Sequence, residues 1–223
     1  AKSLREIEDG GVDLSPLEIT TCLRKGAELE IDVRYTVDAE PLREELFDGL
    51  RERHAAVIYT ETGETIDAIV AGLLRGHRIA TGESCTGGKL AGRLTDVPGA
   101  SEYVAGGVVA YTNEAKTELL GVPADVIAAK GAVSPEVAKA LAEGAIARFG
   151  ADLGAGITGV AGPGGGTDAK PVGFVCFCIA AADGRTMARE VQLPGSREDV
   201  RERSVSIAMH MLHRFLLGDE PPF

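Results

Sequence analysis

The chain has no apolar run approaching the length of a membrane-spanning helix, no C-x-x-C pair and no surplus of basic charge. The first absence, with the lack of a signal-peptide pattern, argues against a membrane protein and leads us to expect a soluble, cytoplasmic one. The second bears on Cys22, Cys85, Cys176 and Cys178, whose spacing fits neither a redox pair nor a zinc site. Reduced thiols are therefore expected, with Cys176 and Cys178 alternating as core residues in an apolar strand. The third concerns partners. The net charge is -11, with 16 acids against 8 bases in residues 1–64 and 18 against 15 in residues 65–223. Neither part offers the positive surface that a phosphate backbone requires, so nucleic acid is not expected as a partner. A small anion held in a local pocket is compatible with that balance.

What is present reads as two parts, with no internal repeat and no low-complexity tract. At 223 residues one large domain, or a medium domain with a small appendage, is expected. Residues 1–15 are polar and read as an irregular lead-in. Leu17–Leu23 and the alternating stretch Leu29, Ile31, Val33, Tyr35, Val37 suggest a hairpin turning at Arg24-Lys25-Gly26, with one buried face. Pro41 suits the first turn of a helix carrying Leu42, Leu46 and Leu50, and residues 55–59 read as a further strand. A boundary falls at Thr60–Gly63. Beyond it strands alternate with helices: a helix over Ile66–Leu74, a strand at Ile79-Ala80, another over Val104–Tyr111 and a short helix over Asn113–Leu120. Next come a helix opened by Ser134-Pro135, a strand over Ala151–Thr158, two strands around Asp183-Gly184, and a long helix from Ser196 with Asp199 in capping-box position. The fold class expected is α/β, a three-layer α/β/α arrangement with a mixed sheet over residues 63–223, preceded by a small α+β (β-β-α-β) unit over residues 1–62.

The rest of the chain is organised around Thr81-Gly82-Glu83-Ser84-Cys85-Thr86-Gly87-Gly88, which follows a strand and leads into a helix. A serine there stands off the end of a strand, and free N–H groups of the helix's first turn could stabilise an oxyanion. Gly82 to Thr86 is one residue away from a nucleophile elbow. Gly82 to Lys89 imitates a phosphate-binding loop but places Leu90 where a magnesium-binding hydroxyl should stand, which argues against a magnesium NTPase. The competing reading is that Ser84 or Thr86 simply caps the helix. Ligands of open α/β sheets sit beyond the carboxyl ends of strands, and three stretches should lie there: 82–88, Tyr111–Lys116 and Thr158–Gly166. Glycines in the first and third, among them Gly87, Gly88, Gly159, Gly162, Gly165 and Gly166, would let backbone N–H groups approach a phosphate. His54, His77, His210 and His213 offer no convincing base for a serine. Lys116 is the better-placed candidate, since a desolvated, neutral amine can take a serine proton; a solvated helix lysine is the alternative.

Several motifs occur in unbroken order from about residue 65 to the end: Glu83–Gly88, Leu94–Gly99, Tyr111–Lys116, Gly131–Ser134, Thr158–Pro163 and Lys170–Gly173. Together they resemble the carboxy-terminal domain of the CinA family, the PncC-type nicotinamide-nucleotide amidases. Residues 17–59 are similar to that family's KH-like segment. The resemblance implies deamidation of nicotinamide mononucleotide to nicotinate mononucleotide and ammonia, with no cofactor and no metal, by a homodimer. It implies Ser84 as nucleophile, Lys116 as base, and Tyr111 and Thr158 near the reacting centre. Substrate contacts are expected from Glu83, Thr86 and Asn113, from the glycines above, and from Arg197 and Arg201. Gly82 departs from the alanine common in the family, with little consequence expected. Two other functions compete: a nucleotide-binding module without turnover, and a serine hydrolase with a histidine base.

Overall fold

A computed structural model describes residues 2–23, 28–55 and 57–219. The chain divides into two compact units that meet at Gly63 and Glu64. In the first, α1 (Lys2–Asp9) precedes the antiparallel pair β1 (Glu18–Leu23) and β2 (Leu29–Arg34), and α2 (Glu40–His54) follows. Ile7, Leu14, Leu17, Leu46 and Leu50 form its core, and Ile19, Ile31 and Val33 cover it from the hairpin.

Three expectations change here. The lead-in is helical over Lys2–Asp9, because Ile7 finds a buried place against Gly49 of α2. The described residues of the strand expected at 55–59 form no strand: the N–H groups of Val57 and Ile58 both turn back to the His54 carbonyl, at 2.8 and 3.0 Å. Ile58 still packs on the core, which explains its apolar character. The hairpin's apolar face is covered at its middle, while Leu29, Tyr35 and Val37 remain exposed. The turn at Arg24-Lys25-Gly26 lies outside the described residues.

The second unit runs α3 (Ile66–Leu73), β3 (Ile79–Glu83), α4 (Lys89–Thr95), β4 (Val104–Val109), α5 (Asn113–Leu120), α6 (Ala124–Lys130), α7 (Pro135–Phe149), β5 (Leu153–Gly159), β6 (Phe174–Ala181), β7 (Thr186–Gln192) and α8 (Arg197–Leu217). The sheet order is β4-β3-β5-β6-β7. β3 runs parallel to β4 and β5, and the β6–β7 hairpin adds two antiparallel strands, so the sheet is mixed. α5, α6 and α7 pack on one face, and α3, α4 and α8 on the other. Helix α6 had no counterpart in the sequence reading, although Pro123 before it and Gly131 after it, at φ 81°, are start and stop signals. The caps read from sequence do form. Ser134 Oγ accepts from Val137 N–H, and Ser196 and Asp199 close a reciprocal capping box.

One packing feature positions the site. Helix α7 buries Ala138, Ala142 and Ala145 against strands that present glycine. A Cβ built on Gly82 would stand 2.6 Å from the Leu141 carbonyl, and one on Gly156 would collide with the Ala138 carbonyl. The helix therefore rests directly on strand backbone. Alanine at position 82, taken from sequence as a change of little consequence, would have to displace α7 in this chain.

Candidate active site

Strand β3 ends inside the protein, every one of its residues buried, and Ser84 follows immediately with its N–H bonded to the Ile157 carbonyl of β5 at 2.9 Å. The parallel register that pairs Glu83 with Val109 ends β3 and β4 side by side. The chain leaving β4 turns at Thr112, whose hydroxyl caps α5 by accepting from Ala115 N–H at 3.1 Å. One turn into α5, Lys116 points back beneath the strand ends and is 2% exposed. Its Nζ lies 3.0 Å from Ser84 Oγ, 3.0 Å from the Ala110 carbonyl and 3.2 Å from the Tyr111 carbonyl.

That three-way arrangement has a chemical reading. A neutral amine has two N–H bonds and one lone pair. The two carbonyls can accept only N–H, so with both satisfied the lone pair is left for the hydroxyl of Ser84. Burial favours this state, holding the Lys116 pKa below the usual 10.5 against the opposing charge of the Glu114 carboxylate. The adjacent Cys85 thiol is the rival nucleophile. Burial pushes it up to about 12, so it stays protonated near neutrality.

A cleft of about 190 Å³ opens over Ser84 and Lys116, with Tyr111, Asn113, Thr158, Gly159 and Arg197 also in its walls. Cys85, Ala132, Val133 and Ala161, which lie in the sequence motifs but are not expected there as site residues, complete the lining. Thr158 Oγ1 donates to the Ala132 carbonyl at 2.8 Å, tying β5 to the segment after α6. Arg197 spans the cleft: Nη1 donates to the Gly162 carbonyl at 2.8 Å and Nη2 to the Tyr111 hydroxyl at 2.7 Å. No histidine lines this cleft among the described residues.

Other residues expected to meet substrate are placed elsewhere. Glu83 is fully buried, and its carboxylate accepts from the N–H groups of Gly88 (3.0 Å), Leu90 (3.1 Å) and Ala91 (2.8 Å) and from the Thr81 hydroxyl (3.3 Å). It caps α4 from within the preceding strand. The helix donors expected to face a ligand are therefore already occupied, and the capping role proposed for Ser84 or Thr86 belongs to Glu83. Gly87 N–H donates to the Ser84 carbonyl at 3.1 Å, closing the turn rather than meeting a ligand. The Thr86 side chain is fully buried and lies outside the cleft lining, as do Gly88, Gly165 and Gly166. Gly162 is also outside the lining and meets only Arg197 there, through its carbonyl. Arg201 donates from Nε to the Cys85 carbonyl at 3.0 Å and from Nη2 to the Thr86 carbonyl at 2.9 Å, behind the turn and away from the cleft walls. Sequence carried no signal for the Glu83 cap, because its acceptor lies N-terminal to the turn, outside the usual N-cap position.

No helix among the described residues is long and apolar enough to cross a membrane. Comparison with known proteins places the second unit. The family model for the CinA C-terminal domain matches residues 63–216. A CinA-like protein of Mycobacterium sp. (strain MCS) is 59% identical over 216 residues, 97% of this chain and 51% of its own length. One of Mycobacterium tuberculosis (strain ATCC 25177 / H37Ra) is 54% identical over 218 residues, 98% of this chain and 50% of its own. The chain thus spans about half the length of these curated relatives. Among solved structures, the competence/damage inducible protein CihA from Agrobacterium tumefaciens aligns at TM-score 0.63 and 38% identity, over 66% of this chain and 93% of that one. The competence damage-inducible protein A (ComA) from Klebsiella pneumoniae subsp. pneumoniae MGH 78578 aligns at 0.65 and 35%, over 68% and 95%. The family model over residues 63–216 and these matches lead to one assignment: the chain belongs to the CinA family, through its C-terminal domain.

Proposed function

We propose that this chain is an amidohydrolase that deamidates nicotinamide mononucleotide, with Ser84 as nucleophile and Lys116 as its base. The observation that carries the reading is the 3.0 Å approach of Lys116 Nζ to Ser84 Oγ, with two backbone carbonyls also within 3.0 and 3.2 Å of the same nitrogen. Ser84 Oγ attacks the carboxamide carbon while its proton passes to Lys116 Nζ. The carbonyl oxygen becomes an oxyanion, and on collapse Lys116 returns the proton to nitrogen, so that ammonia leaves and an acyl ester remains on Ser84. Water, deprotonated by the same amine, then releases the carboxylate. No backbone carbonyl among the described residues accepts from the N–H groups of Cys85 and Thr86; both lie near the Cys85 thiol, a weak acceptor, and Cys85, which lines the cleft beside Ser84, offers the donor placed for the oxyanion. Arg197 and Tyr111, at the rim, suit the substrate's phosphate and ribose.

The test follows ammonia and nicotinate mononucleotide together for wild type, Ser84→Ala and Lys116→Met. Wild type should form the two products in equal amounts, and Ser84→Ala should lose more than about a thousandfold in kcat. Ser84→Ala turning over at the wild-type rate would end the proposal. Calorimetric binding of the mononucleotide with no product over hours would assign the chain a binding role instead.

A further inference from the structure

Resting on the serine-nucleophile reading, we infer that Arg201 is a positioning residue which holds the turn that presents Cys85 N–H to the oxyanion, and that it does not bind substrate. In a trans peptide the C=O and the following N–H point in opposite directions within one rigid plane. Arg201 Nε holds the Cys85 carbonyl, so it fixes the plane that carries Thr86 N–H on its opposite edge. Arg201 Nη2 holds the Thr86 carbonyl, and the N–H on that plane's far edge, from Gly87, is tied to the Ser84 carbonyl. That bond in turn fixes the Ser84 carbonyl and hence the plane carrying Cys85 N–H. Three consecutive peptides are thus locked, and Cys85, which follows Ser84 into the cleft wall, keeps an N–H that no backbone carbonyl among the described residues accepts.

The charge matters as well as the geometry. A guanidinium on the carbonyl edge polarises each peptide and strengthens the N–H on the other side. Gly87, at φ 62°, suits the contact: a Cβ there would be strained by the backbone and would stand 3.1 Å from Arg201 Nη2. Arg197 and Arg201 are one turn apart on α8, which the Ser196–Asp199 capping box anchors. One helix face thereby supplies an arginine to the front of the cleft and another to the back of the turn.

The experiment compares wild type, Arg201→Met and Arg201→Lys by steady-state kinetics on nicotinamide mononucleotide and by labelling with diisopropyl fluorophosphate. In the labelling, Ser84 Oγ bonds to phosphorus, the P–F bond breaks, fluoride leaves, and the hydroxyl proton passes to Lys116. The phosphoryl oxygen takes the oxyanion position whatever the natural substrate. Arg201→Met should lower kcat and the labelling rate by about 10- to 100-fold with KM kept. Arg201→Lys, which retains the charge but can hold only one carbonyl well, should recover part of both, with melting temperatures matched across the set. A raised KM with unchanged kcat and labelling would overturn the inference and leave the amidase reading intact. If wild type releases no ammonia, the amidase reading fails by itself, and labelling that depends on Ser84 and slows in Arg201→Met still upholds the inference. Wild type that neither turns over nor labels removes both.

Discussion

Replacing Lys116 by methionine separates what the buried amine contributes to chemistry from what it contributes to folding. Methionine is close to lysine in length but carries no N–H and no charge, so the Ala110 and Tyr111 carbonyls lose a donor and Ser84 loses its base. Losing a general base costs about 10²–10⁴ in rate. Leaving carbonyls unpaired costs about 1–3 kcal/mol each when no water replaces the donor. Against that stands relief from burying an ionisable amine, and its sign follows from linkage. Burial holds the folded-state pKa below 10.5, the value of the free side chain. Between the two values the unfolded chain binds more protons, so wild-type stability rises with pH across that window and is lowest beneath it. Lys116→Met lacks this dependence. The variant should compare best with wild type near neutral pH and lose ground as pH climbs towards 10.5. Urea midpoints over a pH series, with the m-value checked for constancy, measure that difference. In parallel, wild-type kcat/KM should rise with pH to a plateau whose midpoint lies below 10.5. A midpoint at or above that value, or a stability difference that does not change with pH, would refute the neutral-amine argument.

Two further changes test the framework around the site. Glu83→Ala leaves the N–H groups of Gly88, Leu90 and Ala91 without their acceptor; the expected loss is on the order of 3 kcal/mol together with most of the activity, and an unchanged urea midpoint would remove Glu83 from its capping role. Gly156→Ala drives a methyl group into the Ala138 carbonyl of α7; it should cost about 1–3 kcal/mol by chemical denaturation, and wild-type stability would contradict the direct rest of α7 on the sheet.

Much of the second unit was legible because its signals are local. Ser134-Pro135 and Ser196 with Asp199 announce helix starts within four residues, and both caps form as read. The strand expected at residues 55–59 was misread because an apolar stretch looks the same whether it pairs or merely packs; Ile58 packs. The exposed Leu29 and Val37 carry the alternation of a buried face without the burial. Glu83 looked like a ligand-facing acid beside the serine, since nothing nearby in sequence reveals that three helix donors converge on it.

The sequence by itself determined most elements of the second unit, which turn carries the serine, and that a lysine follows one helical turn into α5. Those features depend on dihedral preferences and side-chain spacing over a few residues. Only the tertiary structure decided that Ser84 and Lys116 meet at 3.0 Å, that Glu83 occupies the donors of α4, and that Arg201 stands behind the turn. These contacts depend on the parallel register of β3 with β4 and β5 and on the docking of α5 and α8. A hydrogen bond between distant residues is set by how whole elements pack, and no short stretch of chain encodes that distance.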